Sequence, residues 1–369
     1  MIKIIQPVFP AETKDEVIEV IESGQIACGP RVAKLEKKFA EFCQTRYAIA
    51  TSNGTTALHT ALLAAGISAG DIVITTPVTF IATSNSILFC GARPWFVDID
   101  ETYNLSPEKV ESTVKKMSRS ERKKLKAILL VHLYGSPANM TEFVRIAREY
   151  NLKLIEDCAQ AHGAKWRKRP VGSFGLAGTF SFYASKNMAT GEGGMVTTNN
   201  HQIAEKCRLL INHGRKSHTE HIVLGYNYRL TDLAAAIGLQ QLRYLAGWNK
   251  KRRQNARILS IGLKDIPEIK LPVVPPESEP VYHQYTIRVP ARVRQQFINY
   301  LQNHGVGCGI YYPRIVYEQP FYQKMGYRKG QCPLAEKISR EVVSLPVHPS
   351  LTAADLEKIV ITVKNFFHQ

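Results

Sequence analysis

Thr179–Asn200, TFSFYASKNMATGEGGMVTTNN, opens in the alternation of a short strand, with Phe180 and Phe182 set against Thr179, Ser181 and Tyr183. Lys186 follows in a turn of small and polar residues. The run Thr190-Gly191-Glu192-Gly193-Gly194 lets the backbone fold back, and Met195-Val196-Thr197-Thr198 reads as a returning strand. A lysine at a strand end among aromatic and hydroxyl side chains is partly desolvated, which favours the neutral, nucleophilic amine. Such an amine suits a Schiff base. A surface lysine on an ordinary hairpin has the same local sequence, and this stretch alone does not separate the two readings.

Upstream, the apolar strand Tyr47–Thr51 runs into Ser52-Asn53-Gly54-Thr55-Thr56 and then a small-residue helix, Ala57–Ala65. Strand, polar turn and helix start is how α/β proteins aim free N–H groups at an anion. The chain has no Gly-Lys dipeptide and no G-x-G-x-x-G, so this is neither a Walker A loop nor a dinucleotide fingerprint. Further strands are expected at Ile72–Thr75, Pro94–Val97, Ala127–Val131 and Lys153–Ile155, the last closing on Glu156-Asp157. Helices at Pro107–Met117 and Met140–Tyr150 alternate with them. That rhythm predicts an α/β domain with a mostly parallel sheet flanked by helices. Its working site lies beyond the carboxyl ends of the strands, where Gly54, Asp157 and the Lys186 turn can converge. Glu156 and Asp157 are strand neighbours and face opposite ways, so only one can address a given ligand. For either, a solvated loop carboxylate is the alternative.

Beyond Asn200 the pattern gives an amphipathic helix to Leu210, an irregular stretch Asn212–Tyr228, and a long helix Leu230–Arg257. A proline-rich segment, Pro267–Pro280, follows. Strand Tyr285–Val289, helix Arg292–His304 and helix Ala353–Phe367 suit a smaller α+β domain. We therefore expect a large domain over 1–250 and a small one over 251–369, with the N-terminal segment packing on the small one.

With 44% hydrophobic and 21% charged residues the 369-residue chain is globular rather than disordered. Lys plus Arg (48) exceeds Asp plus Glu (31), a formal +17. Basic clusters at Lys115–Lys126, Lys165–Arg169, Arg243–Arg257 and Arg288–Arg294 read as solvated helix faces. The surplus also raises the alternative of a nucleic-acid-binding regulator. That reading leaves Lys186 and Asp157 without roles, and neither helix-turn-helix nor zinc spacing is evident. The seven cysteines form no C-x-x-C pair and are odd in number, which points to a reducing, cytoplasmic setting and to no metal site. No signal-peptide apolar core stands near the start. Ile72–Ala92 is uncharged and long enough to span a bilayer, but it holds Pro77, Asn85 and six Ser/Thr residues and reads as buried core. Neither membrane nor nucleic acid is expected as a partner.

An amine nucleophile, a phosphate cradle and a strand-end carboxylate together suggest pyridoxal 5′-phosphate. SNGTTAL (52–58), IEDCAQAHGA (155–164), TFSFYASKNMATGEGG (179–194), GYNYRLTDLAAAIG (225–238) and LPVHPSLT (345–352) resemble the sugar aminotransferases of the DegT/DnrJ/EryC1/StrS family. The resemblance runs from near Gly29 to the C-terminus. It implies the fold type I architecture of pyridoxal-phosphate transferases. It makes Lys186 the cofactor-bearing lysine and Asp157 the partner of the pyridine nitrogen. Gln160 then lies by the ring's 3-hydroxyl, Phe80 stacks on the ring, and Ser181 with Gly54, Thr55 and Thr56 holds the phosphate. Asn227 would reach the phosphate of a neighbouring subunit's cofactor, implying a homodimer with composite sites. Tyr311, Tyr312 and Arg229 would address the sugar.

The implied reaction moves an amino group from an amino acid, glutamate being the expected donor, to a keto group of a nucleotide-linked sugar. The form T-G-E-G-G after Lys186 slightly favours sugar C4 over C3. Cyclitol aminotransferases and aminohydroxybenzoate synthases of the same family remain alternatives, whereas the dehydratase branch carries histidine in place of the lysine. After Tyr311-Tyr312-Pro313 the family's usual Pro-Leu-His gives way to Arg314-Ile315-Val316-Tyr317, which leaves the substrate open.

Overall fold

The computed structural model describes residues 1–367. Its centre is a seven-stranded sheet: β1 (Tyr47–Thr51), β2 (Ile72–Thr75), β3 (Arg93–Phe96), β4 (Leu125–Val131), β5 (Lys153–Asp157), β6 (Ala177–Ser181) and β7 (Gly194–Thr198). The order across the sheet is β1-β7-β6-β5-β4-β2-β3. Only β7 runs against its neighbours; from β6 to β3 every pairing is parallel. The sheet is thus mixed and mostly parallel, as the β–α rhythm predicts.

Successive residues of one strand serve different cores, the period-2 rule seen directly. Ala127 and Leu129 of β4 pack with Ala61 and Leu62 of the helix Gly54–Ala64. Ile128 and Leu130 pack instead with Phe143 and Ile146 of the helix Met140–Glu149. Helices cover both faces, so β4 reads as an unbroken apolar run rather than an alternating one.

The helix expected at Ala57–Ala65 begins earlier, at Gly54. Asn53 caps it, its side chain accepting the Thr56 N–H at 2.9 Å while the Thr56 hydroxyl accepts the Asn53 N–H at 3.1 Å. Gly54, Thr55 and Thr56 are therefore its first turn and not a separate loop. Within the basic cluster Lys115–Lys126 lies a short helix, Arg119–Lys124, started by a Ser118/Glu121 capping box. Ile72–Ala92 forms β2 and the helix Ala82–Phe89, both largely buried. No helix among the described residues is long and apolar enough to cross a membrane.

The long helix Asp232–Leu263 joins the two halves of the molecule. Leu245 packs in the core that holds Phe39, Phe180 and Met195. Ala256, Leu259 and Leu263 pack in a second core with Phe297, Ile359 and the antiparallel pair β8 (Tyr285–Arg288) and β9 (Val342–Leu345). Residue 250 falls inside this helix. The N-terminal segment lies on the second core: Ile2 bridges to Val306, and the Lys3 carbonyl accepts His348 Nε2 at 3.1 Å.

Candidate active site

The carboxyl ends of β1, β5 and β6 bring together the residues that the sequence singled out. Gly54 faces Ser181 so closely that a Cβ at 54 would stand 2.6 Å from the serine Cβ and 3.0 Å from its Oγ. Only glycine permits this approach. It sets the Ser181 hydroxyl beside the opening amides of a capped helix, an arrangement suited to an anion.

Asp157 ends β5 and is 5% exposed. Its Oδ2 accepts the Thr83 hydroxyl at 2.8 Å and its Oδ1 the Ala159 N–H at 3.1 Å. Burial raises its pKa above the usual carboxylate value, against the opposing pull of these two hydrogen bonds and of the Lys186 charge. Thr83 was not legible from sequence; it lies 74 residues away and bonds Thr79 in turn.

Lys186 sits half-buried in the β6–β7 turn, its backbone N–H on the Tyr183 carbonyl at 2.9 Å. Desolvation lowers its pKa to about 8, against the opposing pull of the Asp157 charge. A sizeable share of neutral amine at mild pH follows.

Glu156 faces the other way and is wholly buried, which corrects the alternative of a solvated loop carboxylate for both members of the pair. It accepts backbone N–H groups of Gly172, Phe174 and Gly175, each at 2.8 Å, and contacts His132 Nε2 at 3.2 Å. His132 Nδ1 accepts the Ala138 N–H, so its proton sits on Nε2 and points at Glu156. Ligand atoms of His132, Glu156 and Cys158 lie within 4.8 Å of one another. The Glu156 oxygens and His132 Nδ1 are already taken by these N–H groups, which leaves Glu156 and His132 a structural role.

Gln160 bridges two tyrosines: its Oε1 accepts the Tyr134 N–H at 2.6 Å and its Nε2 donates to the Tyr312 hydroxyl at 2.7 Å. Tyr312 is held at φ +60° and stacks on Tyr134 at 6.5 Å. Phe80 is 60% exposed, an aromatic face left open at the start of the helix Ala82–Phe89. Asn227 is exposed, and the carbonyl of its neighbour Tyr228 accepts the Ser52 N–H at 2.7 Å, so this segment runs beside its own chain's helix start. Arg229 donates to Asn212 Oδ1 at 2.8 Å and closes the base of the same segment. Of the departing residues Arg314–Tyr317, only Arg314 is exposed. Ile315, Val316 and Tyr317 are core, with the Tyr317 hydroxyl on Glu336 at 2.6 Å, so most of that departure is internal packing.

The profile of the DegT/DnrJ/EryC1/StrS aminotransferase family matches residues 8–364. The chain belongs to this family. Among similar proteins, the aminotransferase is 41% identical to a pleiotropic regulatory protein of Geobacillus stearothermophilus, over 95% of this chain and 92% of the relative. It is 37% identical to the GDP-perosamine synthase of Escherichia coli O157:H7, over 99% and 98%. It is 35% identical to a UDP-N-acetyl-3-dehydro-alpha-D-glucosamine 3-aminotransferase of Acidithiobacillus ferrooxidans, over 97% and 95%. Among solved structures, Bacillus subtilis NtdA with bound PMP superposes at TM-score 0.90 and 30% identity, covering 98% of this chain and 83% of that one.

The aminotransferase is a pyridoxal 5′-phosphate enzyme, and its residues fit that cofactor. The close approach of Gly54 to Ser181 sets a hydroxyl beside the free amides of a helix start, as a phosphate requires, and Asp157 and Lys186 supply a buried carboxylate and an amine of lowered pKa.

Proposed function

We propose that the aminotransferase moves an amino group from an amino acid, glutamate being the donor, to a keto group at C4 of a nucleotide-linked sugar, as a cytoplasmic homodimer with composite sites. The observation that carries the reading is the half-desolvated Lys186 amine beside buried Asp157 and the Gly54–Ser181 cradle. Relatives named for GDP- and UDP-linked sugars supply the substrate class. The choice of C4 rests on the Thr190–Gly194 turn, and free thiols at all seven cysteines suit a reducing compartment.

When bound, pyridoxal phosphate supplies an electron sink for the bonds at the amine-bearing carbon. This chain's residues do the rest. The opening turn of the helix Gly54–Ala64 and the Ser181 hydroxyl hold the phosphate. Asp157, pinned by Thr83 and the Ala159 amide, holds the ring nitrogen's proton. Phe80 and Gln160 fix the ring's face and edge. Lys186 Nζ, light in charge because it is desolvated, takes a proton from one carbon and returns it to another as base and then acid.

A panel of 3-keto and 4-keto nucleotide sugars, each offered with glutamate, tests the assignment. The 4-keto compounds should be aminated, with product mass and NMR placing nitrogen at C4. Product only from 3-keto compounds overturns the carbon, and no product from any overturns the substrate class.

The composite site has its own test. Lys186→Ala and Asn227→Ala should each be impaired, yet subunit mixtures should recover roughly a quarter of wild-type activity. Half the dimers are then mixed, and each mixed dimer has one site free of both lesions, as two-fold symmetry requires. Activity no higher than the mean of the parents would place Asn227 in its own chain's site, where the Tyr228–Ser52 contact also leaves it within reach.

A further inference from the structure

Asn187, the residue after Lys186, is 5% exposed and spends its whole amide on other parts of the chain. Its Oδ1 meets His283 Nδ1 at 3.1 Å, and its Nδ2 lies 3.2 Å from Asn249 Oδ1 and 3.3 Å from the Val281 carbonyl. Asn249, on the long helix, donates in turn to the His162 carbonyl at 2.8 Å. An amide oxygen only accepts, so His283 Nδ1 carries the proton. The backbone around His283 is equally constrained. A Cβ on Gly135 would come within 2.8 Å of both the His283 nitrogen and the Gln160 carbonyl. The next residue, Gln284, donates its N–H to the Tyr134 carbonyl.

We propose that His283 is a positioning residue for Lys186: through the bond from its Nδ1 to Asn187 Oδ1, beside the Asn187 bond to the Val281 carbonyl, it fastens the Lys186 turn to the approach of β8, and so keeps the Lys186 amine out of water. The inference rests on Lys186 being the reacting amine. His283 reaches the β6–β7 turn from the strand leading into the second core, 96 residues away. Asn187 is thus the point where the lysine turn, the long helix, the loop after β5 and the C-terminal half all meet. The imidazole stays neutral: burial depresses its pKa strongly, and the positive charges of Lys186 and Arg252 act in the same direction, as does nearby His162. A neutral ring has one donor, and Asn187 holds it. His283 therefore fixes the turn without adding a charge beside the amine.

The test uses amine reactivity in cofactor-free protein, which needs no assumption about the sugar. A small acylating reagent is offered across a pH series, and modification of the Lys186 peptide is followed by mass spectrometry. Wild-type reactivity should rise with pH and reach half its plateau near pH 8. His283→Ala should move that midpoint up by about one unit, because the released turn admits water. At pH 7 this is about a tenfold fall in labelling rate. Asn187→Ser, which removes this bond together with those to Asn249 and the Val281 carbonyl, should shift the midpoint at least as far. The double variant should add little to Asn187→Ser alone, since that substitution already removes the His283 contact. His283→Asn, which returns an N–H near the Nδ1 position, should restore most of the wild-type midpoint. A purely structural histidine predicts lowered unfolding temperatures with the midpoint unmoved. That outcome, or additive shifts in the double variant, overturns the proposal. If His283→Ala does not fold, the comparison of Asn187→Ser with His283→Asn decides. Failure of Lys186 to be the reactive peptide in wild-type protein would instead sink the assignment of the lysine itself.

Discussion

Exchanging Asp157 for asparagine should cut transamination by about 10²-fold or more while leaving the fold and cofactor binding in place, the scale of removing one preorganised electrostatic partner from an active site. The substitution is nearly isosteric. One oxygen can still accept either the Thr83 hydroxyl or the Ala159 amide, the two bonds that hold the present carboxylate at 2.8 and 3.1 Å. What disappears is the negative charge, at a position that is 5% exposed and therefore weakly screened. Without it the cofactor's ring nitrogen loses its counter-ion. Cofactor retention followed by absorbance, beside steady-state turnover, separates lost chemistry from lost binding. Near-normal turnover would show that Asp157 does not serve the ring.

The residue before it should respond in a different currency. Glu156→Ala should lower the unfolding free energy by about 3–5 kcal/mol, the cost of stripping a buried charged group from its partners. The amides of Gly172, Phe174 and Gly175 would all be left without an acceptor in the interior, and His132 Nε2 would lose its partner too. Glu156→Gln should be milder yet still destabilising, since its NH₂ must confront at least one of those N–H groups. Urea unfolding measures both variants. A loss below about 1 kcal/mol for the alanine variant would show that water replaces the carboxylate cheaply, as at exposed sites. One dipeptide of β5 would then carry chemistry on one face and stability on the other.

That division also marks how far the sequence could be read. The Lys186 turn, the Gly54 cradle and the strand-end carboxylate were legible because each is local: a lysine after an alternating strand, small residues at a helix start, an acid at a strand end. The helix beginning at Gly54 was read three residues late, because Asn53 and Thr56 look like turn residues until their reciprocal bonds are seen. For Glu156 a solvated loop carboxylate stayed open as the alternative, since its three amide donors, Gly172, Phe174 and Gly175, come from a separate loop. Thr83, Tyr134 and His283 were missed for the same reason. Their partners lie 74, 26 and 96 residues away, and no periodicity announces such a bond. The Arg314–Tyr317 departure looked like a substrate feature and proved to be mostly core, as three of its four residues are buried.

The antiparallel β7 has one more consequence, for the order in which the chain can assemble. Among the described residues β1 has no sheet partner other than β7, so Tyr47 waits for Thr198 and Thr51 for Gly194. The fit is close: a Cβ on Gly194 would come within 2.4 Å of the Asn53 carbonyl. During synthesis the first strand and the helix start behind it therefore stay unpaired until the Lys186 turn has emerged and β7 has slotted between β1 and β6. Such a long-range pairing is slow to form. That one insertion brings Ser181 against Gly54 and places the Lys186 turn, so in the proposed site a nascent chain would have little grip on the cofactor beforehand. Cofactor held there would stabilise only chains in which the last strand of the sheet has found its slot.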